Sequence, residues 1–173
     1  TLNMDLNKLD EAAEDIENAL ILSPYNYKAI FNRGNLKYYR DDYIGAISDY
    51  TLAIDINEKS TYYYRRGVVL LEAYNDFNRA IKDFKKAIEL EDDYLNILYN
   101  TLIKDNSSNY KLFFCLGLIS SENNDSISCK FIGKAKEYVD DDDGETITYN
   151  GENTKLIDFI NDLHRTNKCF SMF

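Results

Sequence analysis

Three stretches decide the fold: LDEAAEDIENALIL at 9–22, YIGAISDYTLAIDI at 43–56 and FNRAIKDFKKAIEL at 77–90. They stand 34 residues apart, so that Ala12, Ala46 and Ala80 align, as do Ala19, Ala53 and Ala87. The same offset aligns Leu9, Tyr43 and Phe77; Ile16, Tyr50 and Phe84; Leu20, Ile54 and Ile88; and Leu22, Ile56 and Leu90. A fixed period of this size means one supersecondary unit copied along the chain. An aspartate recurs in the same frame, as Asp15, Asp49 and Asp83, without an obvious packing role.

Within one copy the apolar residues Ala46, Ile47, Tyr50, Ala53 and Ile54 fall at i, i+1, i+4, i+7 and i+8, which is one face of an α-helix. The preceding segment, Tyr27 to Tyr39 with Ile30, Phe31 and Gly34, also reads as helical, and Arg40 to Asp42 forms a short polar turn. Each unit is therefore a pair of antiparallel helices. Alanine at the repeated positions lets neighbouring helices approach closely, while Tyr50 and Phe84 fill the space beside the contact.

These residues resemble a tetratricopeptide repeat. The stretch from Ala29 to Ile54 is similar to that family in Phe31 early in the first helix (with Ile30 at the usual aromatic site), Gly34 midway and Tyr43 at the turn, followed by Ala46, Tyr50 and Ala53. The family's closing proline is present once, as Pro24. The distance from Gly67 to Ala80 is one residue longer than from Gly34 to Ala46, and the turn Ala73 to Asp76 is expected to absorb the extra residue. The resemblance implies an all-α fold, a right-handed α-α superhelix of antiparallel helix pairs, with a divergent helical C-terminal part. The expected division is an incomplete first repeat at 1–24, repeats at 25–58 and 59–92, an extra helix and degenerate repeat at 93–139, and an acidic loop with a C-terminal capping helix at 140–173. An incomplete first unit leaves apolar surface uncovered, as in a fragment of a longer protein.

Beyond Asp92 the frame is lost. Tyr94 to Lys104 carries a helical stripe of Leu95, Leu98, Tyr99 and Leu102, followed by a polar break from Asp105 to Asn109. Tyr110 to Val139 reads either as a degenerate repeat, with Phe113, Phe114 and Gly117 and then Ser128, Ile132 and Ala135, or as a packing pair of helices without repeat ancestry. The run Asp140 to Asp143 before Gly144 does not make a calcium loop, because Val139 and Asn150 would occupy positions that require carboxylates. It reads as a solvated charge run. Thr146 to Tyr149 alternates like a short extended piece, and Asn153 or Thr154 is expected to cap a last amphipathic helix bearing Leu156, Ile157, Ile160 and Leu163.

With 173 residues, 45% hydrophobic content, one proline and seven glycines, composition favours a helical core. The net charge of −10 speaks against nucleic acid, whose phosphates require clustered Lys and Arg, and favours a neutral or basic protein partner. Cys115, Cys129 and Cys169 are odd in number and widely spaced beside the single His164, which indicates neither a disulfide framework nor a zinc site and sets a reducing, cytoplasmic compartment as the expectation. No membrane span is visible. No glycine-rich phosphate loop, nucleophile elbow or HExxH motif is present, and His164 beside Arg165 reads as a partner for a helix C-terminus, so no enzyme activity and no cofactor or metal are expected.

In the resembled family the first helices of successive units line a concave groove that holds an extended peptide or a partner helix. Carried onto this chain, the groove residues are Lys28, Phe31, Asn32, Asn35 and Tyr39 from one unit and Thr61, Tyr64, Arg65 and Val68 from the next. Asn32 and Arg65 also stand where a carboxylate clamp of that family has an Asn and an Arg, with Thr61 in place of a clamp Lys. The expected function is protein–protein interaction through this groove; the alternative is a structural or regulatory helical segment that packs on its own parent chain.

Overall fold

In the computed structural model, residues 2–104, 107, 109–122, 127–138, 146–149 and 152–166 are described. The chain begins with α1 (Leu2–Leu22), followed by the pair α2 (Tyr27–Tyr39) and α3 (Tyr43–Ile56) and the pair α4 (Ser60–Tyr74) and α5 (Phe77–Leu90). Next come α6 (Tyr94–Lys104), the pair α7 (Tyr110–Glu122) and α8 (Ser128–Tyr138), the strands β1 (Thr146–Tyr149) and β2 (Glu152–Lys155), and α9 (Leu156–Thr166). The architecture is an all-α helical-repeat superhelix, to which β1 and β2 add one antiparallel hairpin pairing Ile147 with Thr154 and Thr148 with Asn153.

Each repeat pair is punctuated by the same local chemistry. Asp42 caps α3 by accepting from the Gly45 N–H at 2.9 Å, and Asp76 caps α5 by accepting from the Arg79 N–H at 3.0 Å. Before these caps the chain passes through the left-handed region, at Asp41 (φ 60°) and Asn75 (φ 51°), both residue types that tolerate it. The extra residue of the second pair does not enter the turn, contrary to the sequence expectation. It extends α4 through Tyr74, and Asn75 then ends the helix as the Asp76 N–H reaches back to the Leu70 carbonyl at 3.0 Å.

Close approach follows from glycine and alanine. A Cβ on Gly34 would meet Tyr50 at 2.7 Å, and one on Gly67 would meet Phe84 at 2.6 Å, so each second-helix aromatic lies directly on the first-helix backbone. Gly117 on α7 stands in the same relation to Ile132 on α8, at 2.8 Å. Ala46, Ala53, Ala80 and Ala87 have no exposed surface. On α1, by contrast, Ala12 is exposed and Ala19 half-buried, because α1 packs on α2 while no described helix covers the face that Gly34 and Gly67 cover in the later units.

Replacing Ala53 by leucine should destabilise the protein by about 1–3 kcal/mol through overpacking between α3 and its neighbours. An unchanged melting temperature would remove the close-contact explanation of the repeated alanines.

α9 buries Leu156, Ile157, Ile160 and Leu163 against α8 and α7, with Phe159 edge-on to Phe114 at 5.3 Å between centroids. Its start differs from expectation. Asn153 and Thr154 do not cap it but belong to β2, where their backbone pairs with β1, and the helix begins at Leu156. The acidic run at 140–144 lies outside the described residues.

Candidate functional site: the face of α2 and α4

The first helices α2 and α4 lie side by side. Phe31 of α2 stacks on Tyr62 of α4 at 4.4 Å, Tyr27 approaches the same ring at 6.5 Å, and the Tyr38 hydroxyl donates to Glu72 at 2.5 Å. This contact sorts the expected groove residues into two groups. Lys28, Asn32, Tyr39, Thr61 and Arg65 are exposed, Tyr39 at 62%. The others serve packing as well as surface: Phe31 is sandwiched by Tyr62 and Tyr50, Tyr64 lies between Phe84 at 5.9 Å and Tyr94 at 6.4 Å, and Val68 is only 8% exposed. Asn35 is half-buried and its side-chain oxygen accepts from the Tyr50 hydroxyl at 2.9 Å, leaving its amide hydrogens as the groups to offer.

Arg65 stands apart. It makes no ion pair or hydrogen bond among the described residues, in a chain of net charge −10. Its charge acts on a ring of tyrosine hydroxyls. Burial pushes Tyr50 up to about 12, and Arg65 opposes that shift; burial also raises Tyr38 and Tyr94, again against a downward pull from Arg65. A guanidinium free to fork, bordered by flat rings with polar tips, suits an oxygen-bearing group on an extended ligand.

Beneath this face lies a feature that the sequence frame showed only in half. Asp49, 3% exposed, accepts from Arg33 Nε at 2.9 Å and from its terminal nitrogen at 2.7 Å, with Lys37 Nζ at 2.8 Å. Asp83, 5% exposed, takes the matching fork from Arg66 at 2.8 Å on both nitrogens, and Arg66 also donates to Thr51 at 3.0 Å. The recurring aspartates are thus anchors that tie the second helix of each unit to its first. Burial alone would raise the Asp49 carboxyl, but the hydrogen bonds from Arg33 and Lys37 outweigh it and hold the group below the usual carboxylate range. The arginines precede Gly34 and Gly67, and this Arg-Gly pairing was the sequence signal that could have found them.

A cavity of about 700 Å³ opens on the far side of α4 and α5, lined by Tyr63, Arg66, Ile81, Lys82, Asp83 and their neighbours. Its perturbed groups do not favour proton transfer near neutrality. Burial and a hydrogen bond to Glu58 push Tyr63 up to about 12, and the Asp83 hydrogen bond raises Arg66, so each is driven deeper into the form it already holds. His164, in the last turn of α9 as expected, is 8% exposed; burial first and Lys136 second lower its pKa and keep it neutral. Among the described residues no group of three or more His, Cys, Asp and Glu side chains is placed to hold a metal ion.

Cysteine usage departs from expectation. Cys115 is a free buried thiol, but Cys129 on α8 is disulfide-bonded, and Cys169 lies outside the described residues. Wide spacing in sequence does not limit proximity in a folded stack. Among the described residues no helix is long and apolar enough to cross a membrane.

Residues 60–94 match the family model of the tetratricopeptide repeat. No curated protein sequence matches the chain. Among solved structures, that of the MamA protein is similar at a TM-score of 0.48 and 20% identity, covering 78% of this chain and 66% of that one, so the chain spans just under two thirds of MamA's length there. The structure of YrrB, titled a TPR protein with an unusual peptide-binding site, is similar at a TM-score of 0.47 and 18% identity, covering 82% of this chain and 83% of that one. The matched unit spans α4 and α5, and its glycine contact, capping aspartate and Arg–Asp anchor recur in α2 and α3, so over these two helix pairs the chain is similar to tetratricopeptide-repeat proteins.

Proposed function

We propose that the chain is a protein-interaction module that captures a peptide or a helix of a partner protein on the face of α2 and α4. Lys28, Asn32, Tyr39, Thr61 and Arg65 meet the ligand, and Phe31, Asn35, Tyr64 and Val68 shape the floor. The single observation that carries the reading is Arg65: an exposed, unpaired guanidinium ringed by tyrosines in an acidic chain is a group awaiting a partner. The partner is a protein segment, neutral or basic overall, that brings one carboxylate or carbonyl cluster to Arg65.

A pulldown with wild type against the triple variant Lys28→Ala, Asn32→Ala, Arg65→Ala tests this, with partners identified by mass spectrometry and then titrated individually. Loss of at least one partner by about tenfold or more in affinity is expected, since a charge-assisted contact contributes about 1.5–3 kcal/mol. These side chains are exposed, so the variant should melt like wild type. A partner set identical in both sinks the groove reading. Comparing a free with an amidated peptide C-terminus then separates a terminal-carboxylate clamp from capture of an internal segment.

A second reading, a structural segment packing on its own parent chain, is supported by one specific observation. Ile21 and Leu22 at the end of α1 are 78% and 87% exposed, which invites cover.

A further inference from the structure

The 34-residue frame places charge as well as packing, and it reverses sign from one end of the stack to the other. Glu11, Gly45 and Arg79 share one position of the repeat; Glu14, Ser48 and Lys82 share the next; Glu17, Thr51 and Lys85 share the third. Three positions of one helix face are therefore acidic on α1, uncharged on α3 and basic on α5. We propose that these two rows are the halves of a head-to-tail contact, in which α1 of one copy of this chain docks along α5 of another.

Spacing makes the rows complementary. Because both follow the same i, i+3, i+6 pattern, charges on each helix stand about 4.5 Å apart along the axis. Each glutamate can therefore meet a cation at one mutual alignment of the helices. The charges are available. Glu11, Glu14 and Glu17 are exposed and make no ion pair among the described residues, and the same holds for Lys82. Arg79 pairs with Asp76 at 2.5 Å and Lys85 with Glu122 at 2.5 Å, but these side chains are 65% and 42% exposed, and pairs that open to water exchange partners at little cost. Beside the basic row lies the cavity of about 700 Å³, lined by Lys82, Lys85 and Lys86, which gives a docked helix depth to settle into.

The contact has to be intermolecular, because α2, α3 and α4 separate α1 from α5 within the stack. It joins two different faces, so every added copy leaves one acidic and one basic end free, and association is open-ended instead of stopping at a dimer. The net charge of −10 repels copies at a distance. At physiological ionic strength that long-range term is screened beyond about 8 Å, whereas pairs in contact are screened less.

Sedimentation velocity over a concentration series tests the proposal at physiological salt. Wild type should form a growing series of species, lost in molar salt. The variant Glu14→Lys, Glu17→Lys and the variant Lys82→Glu, Lys85→Glu should each sediment as a monomer while melting like wild type. Mixing the two in equal amounts should restore association, since each then supplies the row the other lacks. The single variant Lys82→Glu, which disturbs no existing ion pair, should weaken association about fivefold or more. A wild type that stays monomeric throughout, a discrete dimer, association unchanged in both variants, or a mixture that remains monomeric would each overturn it. Neither row includes a groove residue, so ligand binding at Arg65 should be the same in all these variants.

Discussion

Replacing Asp83 by alanine is expected to lower the folding stability by about 3–5 kcal/mol, the cost of leaving a buried charge without its partner. The carboxylate is 5% exposed and takes both prongs of the Arg66 fork at 2.8 Å, while Arg66 reaches on to Thr51 of the preceding unit. Without Asp83, the guanidinium faces Tyr63 and the cavity with only the weaker pull of Asp55 as counter-charge, and the link between successive units loosens with it. Thermal unfolding should register a fall of roughly 10 °C or more in Tm. Substituting both partners, Arg66→Met with Asp83→Leu, should cost much less than the single change, because no orphaned charge remains. A single variant that melts like wild type would show that the anchor adds nothing to stability. The equivalent change at Asp49 should be milder, since Arg33 is 36% exposed and solvent screens that pair. Asp49 also sets an acid limit. Its folded pKa lies below the unfolded value near about 4, so its contribution is full above that pH and is lost as the pH falls through the folded value.

The same two anchors show where the sequence was readable and where it was not. The aspartates recur at 34 residues, Asp49 to Asp83, and were visible as a repeat; their arginines recur at 33, Arg33 to Arg66, and slipped out of frame. The cause is the residue added to α4, which moves everything before the turn by one position relative to everything after it. A period alone therefore found half of each pair. The helix pairs were legible because two periodicities agreed, the helical one within each copy and the 34-residue one between copies. At the far end of the chain neither applies, and local chemistry misled: Asn153 and Thr154 have the side chains of an N-cap, but pairing with Thr148 and Ile147 claims their backbone first. The face of α2 and α4 was readable as a list of positions, not as a surface. Periodicity puts Phe31, Val68 and Lys28 on one side of their helices alike, yet whether each meets solvent or the next unit depends on the inter-unit contact, such as the Phe31–Tyr62 stack, which no single helix encodes.

Truncating Phe84 to alanine should cost about 3–5 kcal/mol, as large as the loss of the Asp83 anchor but by a different route. The ring has no exposed surface, lies within 2.6 Å of where a Gly67 Cβ would be, and packs against Tyr64 at 5.9 Å between centroids. Removing it opens a cavity between α4 and α5 that neither helix can close, because each is held by its neighbours in the stack. Gly67→Ala attacks the same contact from the other side. Its methyl would collide with the Phe84 ring and should destabilise by about 1–3 kcal/mol. The two substitutions cannot be independent, which gives a sharper test than either alone. Phe84→Leu shortens the side chain at the point of collision, so Gly67→Ala in that background should cost clearly less than in wild type, with a coupling of about 0.5–3 kcal/mol in urea unfolding. Strict additivity would mean that the ring does not rest on the glycine. Tyr64, next to Arg65 in the chain, then extends the consequence to the binding face, because its ring packs against Phe84 at 5.9 Å and Tyr94 at 6.4 Å between centroids. Phe84→Leu, which keeps the core filled, should leave the melt nearly intact yet weaken ligand capture through a displaced Tyr64 ring. Unaltered capture in that variant would separate the floor of the face from its function.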